Sequence, residues 1–359
     1  MTMSTPIHPH RSARNVVRHV RAWPLWPRNL AIVLSGALLI AAIIVVPILF
    51  PLQAGDAETV ATMAGSADSP EAFDGYGFMS LIYAHTNAGL RNLILFGFGG
   101  VLIAMFLWWL RMPRMLAIAG FMLLAPLSLY LPFFVKDTFT IPLAIAATFL
   151  LTRGRVSVWV KVAGVTLFYA AYAVIFRQYY LLIIPVWLFL LLFIEAPISW
   201  RMVLLVAIPI VMALVPKEVY DTLQMQRDMV NMARAGFAGE GNRSAFLNLV
   251  EPNGVFSFIA NFFYAAFRLN LPFDRLAPNN IFLFLNVCIY FWLSFSGMRS
   301  ANRIVSWPSS LFFAHIVVIT IFEPDLGSYL RHASTAILLL ASSLAMWDSV
   351  FRQKIDRNA

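Results

Sequence analysis

Long apolar runs follow one another along this chain, separated by short polar gaps that hold most of the arginines. That alternation constrains the fold more than any single motif. A helix of about 20 residues covers the roughly 30 Å of a bilayer's hydrocarbon core. A backbone inside hydrocarbon must satisfy its own hydrogen bonds, so such runs have to be helices. The expected class is therefore an all-α, polytopic integral membrane protein. The composition agrees: 12% of residues are charged, against about 25% in a soluble domain. The net charge of +9 would suit nucleic acid if the basic residues were pooled. They fall instead in small clusters between apolar runs, as in proteins whose basic loops stay in the cytoplasm. Membrane lipid is thus the expected partner, and nucleic acid is not. The single cysteine, Cys288, lies within an apolar run, which leaves no disulfide framework and no cysteine metal site.

Taken in order, residues 1–28 form a basic arm with Arg11, Arg14, Arg18, Arg21 and Arg28, expected in the cytoplasm and leading into an uncleaved anchor. The expected spans are 29–52, 91–110, two short spans between Arg114 and Arg153, then 156–176, 181–195, 202–216, 279–298, 307–322 and 333–351. The stretch between Arg114 and Arg153 would make one helix of roughly 57 Å, too long for one crossing, so a turn is placed at Pro132 to Asp137. Residues 29–351 then form a single transmembrane domain of about ten spans. Outer loops lie at 53–90 and 217–278, and a basic tail, 352–359, is cytoplasmic. Both termini share that side. Residues 254–273, rich in phenylalanine, are read as a helix in the outer interface ending at Arg268, because a crossing there would turn Arg299, Arg303 and the basic tail outward. In 217–252, Val219, Leu223, Met229 and Val230 suggest one face of a surface helix. A connection that long suggests function.

The densest polar stretch is Glu323-Pro-Asp-Leu-Gly-Ser-Tyr-Leu-Arg-His332, set between two apolar runs. Ionisable groups beside hydrocarbon are costly, so the stretch is either a polar turn or a site at the membrane surface. Six basic residues break the charge rule by falling on the outer side: Lys136, Arg177, Arg243, Arg268, Arg275 and Arg331. Each alone fits snorkelling or pairing with a carboxylate such as Asp137. As a set they suit a diphosphate, which a guanidinium binds through two parallel hydrogen bonds. Asp74, Asp137, Glu323 and Asp325 share that side and are candidate bases for moving a proton off a hydroxyl. For Asp74 a turn cap is an equal reading, and for Asp137 a pair with Lys136. No cofactor motif is present. Glu323 and Asp325 leave a divalent metal open, at a spacing that carries little weight. There is no phosphate-cradling glycine loop and no His/Glu zinc pair. Clean mid-membrane segments and the lack of an inverted repeat count against ion-coupled transport.

Three motifs carry a resemblance: Lys136-Asp137 after a span, Arg177-Gln-Tyr-Tyr-Leu-Leu182, and Gly327-Ser-Tyr-Leu-Arg-His332. Together they resemble bacterial polysaccharide repeat-unit polymerases of the Wzy and EpsG types, similar in layout to GT-C glycosyltransferases. The resemblance implies an inner-membrane protein that uses a polyprenyl diphosphate-linked glycan on the outer face and works with other polysaccharide-assembly proteins. It implies that Lys136, Arg177, Tyr180, Arg243, Arg268, Arg275, Arg331 and His332 hold the substrate. One of Asp74, Asp137, Glu323 and Asp325 would then act as base. A flippase for a lipid-linked oligosaccharide and a non-catalytic subunit of an assembly machine are the alternatives.

Overall fold

The computed structural model describes residues 24–49, 55–65, 75–238, 246–271 and 278–358. Among them the chain is all helical, with no strand. The helices are α1 (Trp26–Leu49), α2 (Gly55–Gly65), α3 (Gly75–His85), α4 (Ala88–Leu107), α5 (Pro113–Ala125), α6 (Thr140–Thr152), α7 (Val158–Ile175), α8 (Ile183–Glu195), α9 (Ile198–Leu214), α10 (Lys217–Ala238), α11 (Val255–Asn270), α12 (Pro278–Met298), α13 (Arg303–Phe322), α14 (Leu326–Thr335) and α15 (Ala341–Asn358). A π-helical turn, Pro126–Tyr130, extends α5, and short 3-10 turns lead into α6, α8 and α15. Six helical segments are long and apolar enough to cross a membrane, and eight if each of two bent pairs counts as one span. This is a multi-pass membrane protein.

Local chemistry sets the ends of these helices. The side chains of Asn87, Ser157 and Asn302 accept hydrogen bonds from the first-turn amides of α4, α7 and α13. Each satisfies a donor that lipid cannot. Pro113 opens α5, where its missing N–H costs nothing. Pro216 separates α9 from α10, and the axis turns by 90° there.

Helix α13 is the axis of the bundle. In its apolar window 78% of residues are buried, against 22–33% in the other five long helices. It packs on α12, α8, α6, α10, α14 and α15. Small residues let it do so: a Cβ on Gly297 of α12 would run into the hydroxyls of Ser309 and Ser343, which hydrogen-bond each other at 2.7 Å. Close approach through small residues is how helices gain packing where lipid supplies no hydrophobic drive. At the rim, α9 has no buried residue, and Leu214 is 77% exposed. Such an apolar surface suits lipid.

One sequence expectation changes shape. The stretch 323–332 is not a turn before a span starting at 333. Only 323–325 is extended; Asp325 caps α14 through a 2.9 Å bond from the Ser328 amide, and the chain bends by 60° between α14 and the final helix. Helix α10 keeps most of the apolar residues named for its surface face at the surface. Val219, Met229 and Val230 are exposed, while Tyr220, Gln224, Arg227 and Asn231 face inward. Helix α11 meets it the same way, burying Ser257, Asn261, Ala265 and Leu269 and exposing Phe256, Phe263 and Phe267. Gln224 Oε1 accepts a 2.6 Å bond from Asn261. The two helices join polar faces and turn apolar side chains outward, aromatic on α11 and Val or Met on α10.

Candidate functional site

The outer ends named in the sequence reading meet at one end of the bundle. The 3-10 turn before α6 brings Lys136 and Asp137. Arg177 follows α7 directly, and Tyr179 lies in the turn that opens α8. The C-terminus of α13 brings Glu323, and α14 brings Ser328, Arg331 and His332.

Asp137 is the hub, 1% exposed. Arg177 donates to its Oδ1 from Nε at 3.0 Å and from Nη2 at 2.7 Å. Arg331 Nε lies 2.8 Å from Oδ2. Burial opposes the charge on Asp137, but Arg177, with His332, Arg331 and Lys136, outweighs it and holds the carboxyl well below the usual carboxylate range.

Buried His332 joins this hub to a second carboxylate. Its Nδ1 lies 3.3 Å from Asp137 Oδ1 and its Nε2 lies 3.1 Å from Glu323 Oε1. Tyr179 donates to Glu323 Oε1 at 2.8 Å and accepts from Arg177 Nη1 at 3.1 Å. The Ser328 hydroxyl donates to Glu323 Oε2. Burial nonetheless dominates for Glu323, and its carboxyl is pushed above the ordinary glutamate value. The two carboxylates therefore differ in kind. Asp137 is a fixed anion. Glu323 is moved toward neutrality, where proton transfer is most effective.

Lys136 lies over the Tyr76 ring, 3.7 Å from its centroid. Arg268 lies over the Phe246 ring at 5.8 Å, with Arg227 5.0 Å from the same ring. Tyr180 requires a correction: it is fully buried and its hydroxyl meets His315 Nε2 at 3.4 Å, so its neighbour Tyr179 is the tyrosine that joins the cluster. The cap that Asp325 provides for α14 gives that carboxylate a structural task. Among the described residues no group of three or more His, Cys, Asp or Glu side chains could hold a metal. Asp74, Arg243 and Arg275 lie outside the described residues.

Sequence reasoning also missed Arg227. It is 2% exposed, and its Nη2 donates to the carbonyls of Thr320, at 2.6 Å, and Ile321. These are last-turn carbonyls of α13 that no helical amide can reach. From the same face of α10, Asn231 donates to the Pro324 carbonyl at 3.2 Å. Helix α10 thereby fixes the backbone on both sides of Glu323. The spacing of Tyr220, Gln224, Arg227 and Asn231 was a readable helical stripe, although it is the polar one. Arg227→Ala is expected to lower stability by about 2–3 kcal/mol, the cost of stranding buried carbonyls that had a charged donor. Thermal unfolding of the detergent-purified chain measures this; an unchanged midpoint would mean that α10 does not hold the Glu323 segment.

Compared with family models, curated proteins and solved structures, the chain matches none.

Proposed function

We propose that this protein transfers a glycan from a polyprenyl diphosphate carrier to a hydroxyl acceptor, as a repeat-unit polymerase or related glycosyltransferase of a bacterial inner membrane. One observation supports this above the others: two guanidiniums from separate elements, Arg177 and Arg331, converge on Asp137 beside a second, differently tuned carboxylate, Glu323. Asp137 positions the two arginines. Arg331 is in ion-pair contact with Asp137, and its side chain is 18% exposed, at the margin of the cluster. In the proposed step the acceptor oxygen attacks the anomeric carbon of the carried sugar. The bond from that carbon to the diphosphate oxygen breaks, the hydroxyl proton passes to the Glu323 carboxylate, and the departing polyprenyl diphosphate takes the negative charge toward Arg331 and Lys136. Lys136 adjoins Asp137 in the same 3-10 turn.

The accompanying topology has ten spans, counting the short α5 and α6, with both termini cytoplasmic and the cluster outside. Reporter fusions after Gly55 and Gly327 are expected outside, and fusions after Arg114, Arg201 and Arg303 inside. An inside result at Gly327 would put the cluster on the wrong face for this substrate.

Arg331→Lys tests the chemistry. Snorkelling to headgroups tolerates lysine; bidentate support of a leaving diphosphate does not. The expected result is normal membrane levels with a rate lowered on the order of a hundredfold, read as short glycan chains in a deletion strain. Wild-type chain lengths would remove Arg331 from the reaction. One observation favours a second reading: an imidazole between two buried carboxylates is also a proton relay, as in a proton-coupled flippase for a lipid-linked oligosaccharide. Export of repeat units that stops in the Arg331→Lys strain, with the units trapped inside, would support that alternative.

A further inference from the structure

A half-open cavity of about 1140 Å³ lies at the opposite end of the bundle from Asp137, where α8 ends and α13 begins. Its walls include Phe193, Phe295 and Phe313, and its polar groups include Arg201, Arg299, Arg303 and Glu195. The polar groups are not equivalent. Arg303 is paired with Glu195, with Nε 2.8 Å from Oε1 and Nη2 2.5 Å from Oε2, and Trp307 Nε1 donates to the same carboxylate at 2.9 Å. Arg201 caps the end of α8, donating to the carbonyls of Ala196 at 2.9 Å and Ile194 at 3.0 Å. Its planar fork is thereby held in one orientation. The exposed Arg299 makes no side-chain hydrogen bond or ion pair among the described residues. Three guanidiniums against one carboxylate leave the cavity with an excess of two positive charges.

We propose that this cavity binds the headgroup of a net-anionic phospholipid. Arg299 and Arg201 would meet the phosphate, and the phenylalanines would line the first part of the acyl chains. The chemistry of the walls argues for an amphiphile over a free anion. A phosphate alone needs only the arginines, whereas aromatic walls beside span ends suit a molecule with a charged head and apolar tail. This end also carries Arg111, Arg114, Arg153 and Arg155 at the ends of neighbouring helices, an array that draws anionic lipid toward the surface. The inference rests on the cavity and is independent of the glycan-transfer reading.

The test uses the detergent-purified full chain and a labelled short-chain phosphatidylglycerol, with competition by unlabelled phosphatidylglycerol, phosphatidylcholine of the same chain length, and inorganic phosphate. Phosphatidylglycerol is expected to compete, with phosphatidylcholine at least about tenfold weaker, since only the former leaves its phosphate charge unneutralised. Inorganic phosphate is not expected to displace the lipid at millimolar concentration. Arg299→Gln is expected to weaken binding about three- to tenfold, the loss of one charge-assisted contact at a partly exposed rim. Glu195→Gln is expected to tighten it, because it removes the only competing anion; general damage to the fold would not do this. Equal competition by phosphatidylcholine or by phosphate, or affinity unchanged in Arg299→Gln, overturns the proposal.

Discussion

Asp137→Ala is expected to leave little folded protein. The carboxylate is the shared partner of Arg177 and Arg331, and both are largely withdrawn from water. Removing one partner of a buried ion pair costs about 3–5 kcal/mol, because the remaining charge keeps its desolvation cost without compensation. Here two cations lose that partner at once. The cost is comparable to much of the stability of a typical domain, so membrane levels should collapse and the purified residue should aggregate. Replacing all three groups by apolar residues of similar size should restore folded protein without restoring activity, since loss of a complete pair is tolerated far better than loss of half. Size-exclusion profiles of the solubilised variants make the comparison. A monodisperse Asp137→Ala with a wild-type unfolding midpoint would show that the arginines are held by something other than Asp137.

Glu323→Gln is expected to do the reverse, keeping the fold and losing the reaction. Tyr179 and Ser328 donate to different oxygens of Glu323; glutamine keeps one of these acceptors and the side-chain shape, and the second hydroxyl turns to accept from the new amide N–H. Glutamine cannot take a proton. Loss of a general base typically lowers rate about 10²–10⁴-fold, so the variant should make no detectable long glycan at normal membrane abundance. The comparison with Asp137 separates the two carboxylates. One is required for the architecture because its charge is fixed. The other is proposed as the proton acceptor, with burial moving its affinity for a proton upward. Full chain length in Glu323→Gln would assign the proton transfer elsewhere.

Helical segments were legible because apolar runs and their proline and arginine punctuation are set by the bilayer itself. Arg177, Arg331 and Lys136-Asp137 could be singled out because each is a charge at the end of an apolar run. Their meeting on one carboxylate was not readable, since it depends on how α6, α7, α13 and α14 pack. Tyr179 and Tyr180 are adjacent in sequence, and only the rotation of the 3-10 turn sends the first to Glu323 and the second to His315. The apolar residues of α10 stood out as one face of a surface helix, while the polar stripe opposite them drew no attention. With lipid outside, the polar stripe goes in, and Arg227 finds the end of α13. Helix α14 could have been anticipated from Asp325 and Ser328, an aspartate three residues ahead of the amide it caps.

Glycan transfer is measured most directly with the purified chain in vesicles carrying a polyprenyl diphosphate-linked oligosaccharide, following both the length of the glycan and the release of free polyprenyl diphosphate. Glycans longer than the input are expected, with one carrier released for each unit added. Arg331→Lys should be strongly reduced and Glu323→Gln silent. An unchanged glycan length with the intact lipid-linked oligosaccharide moving between leaflets would contradict it.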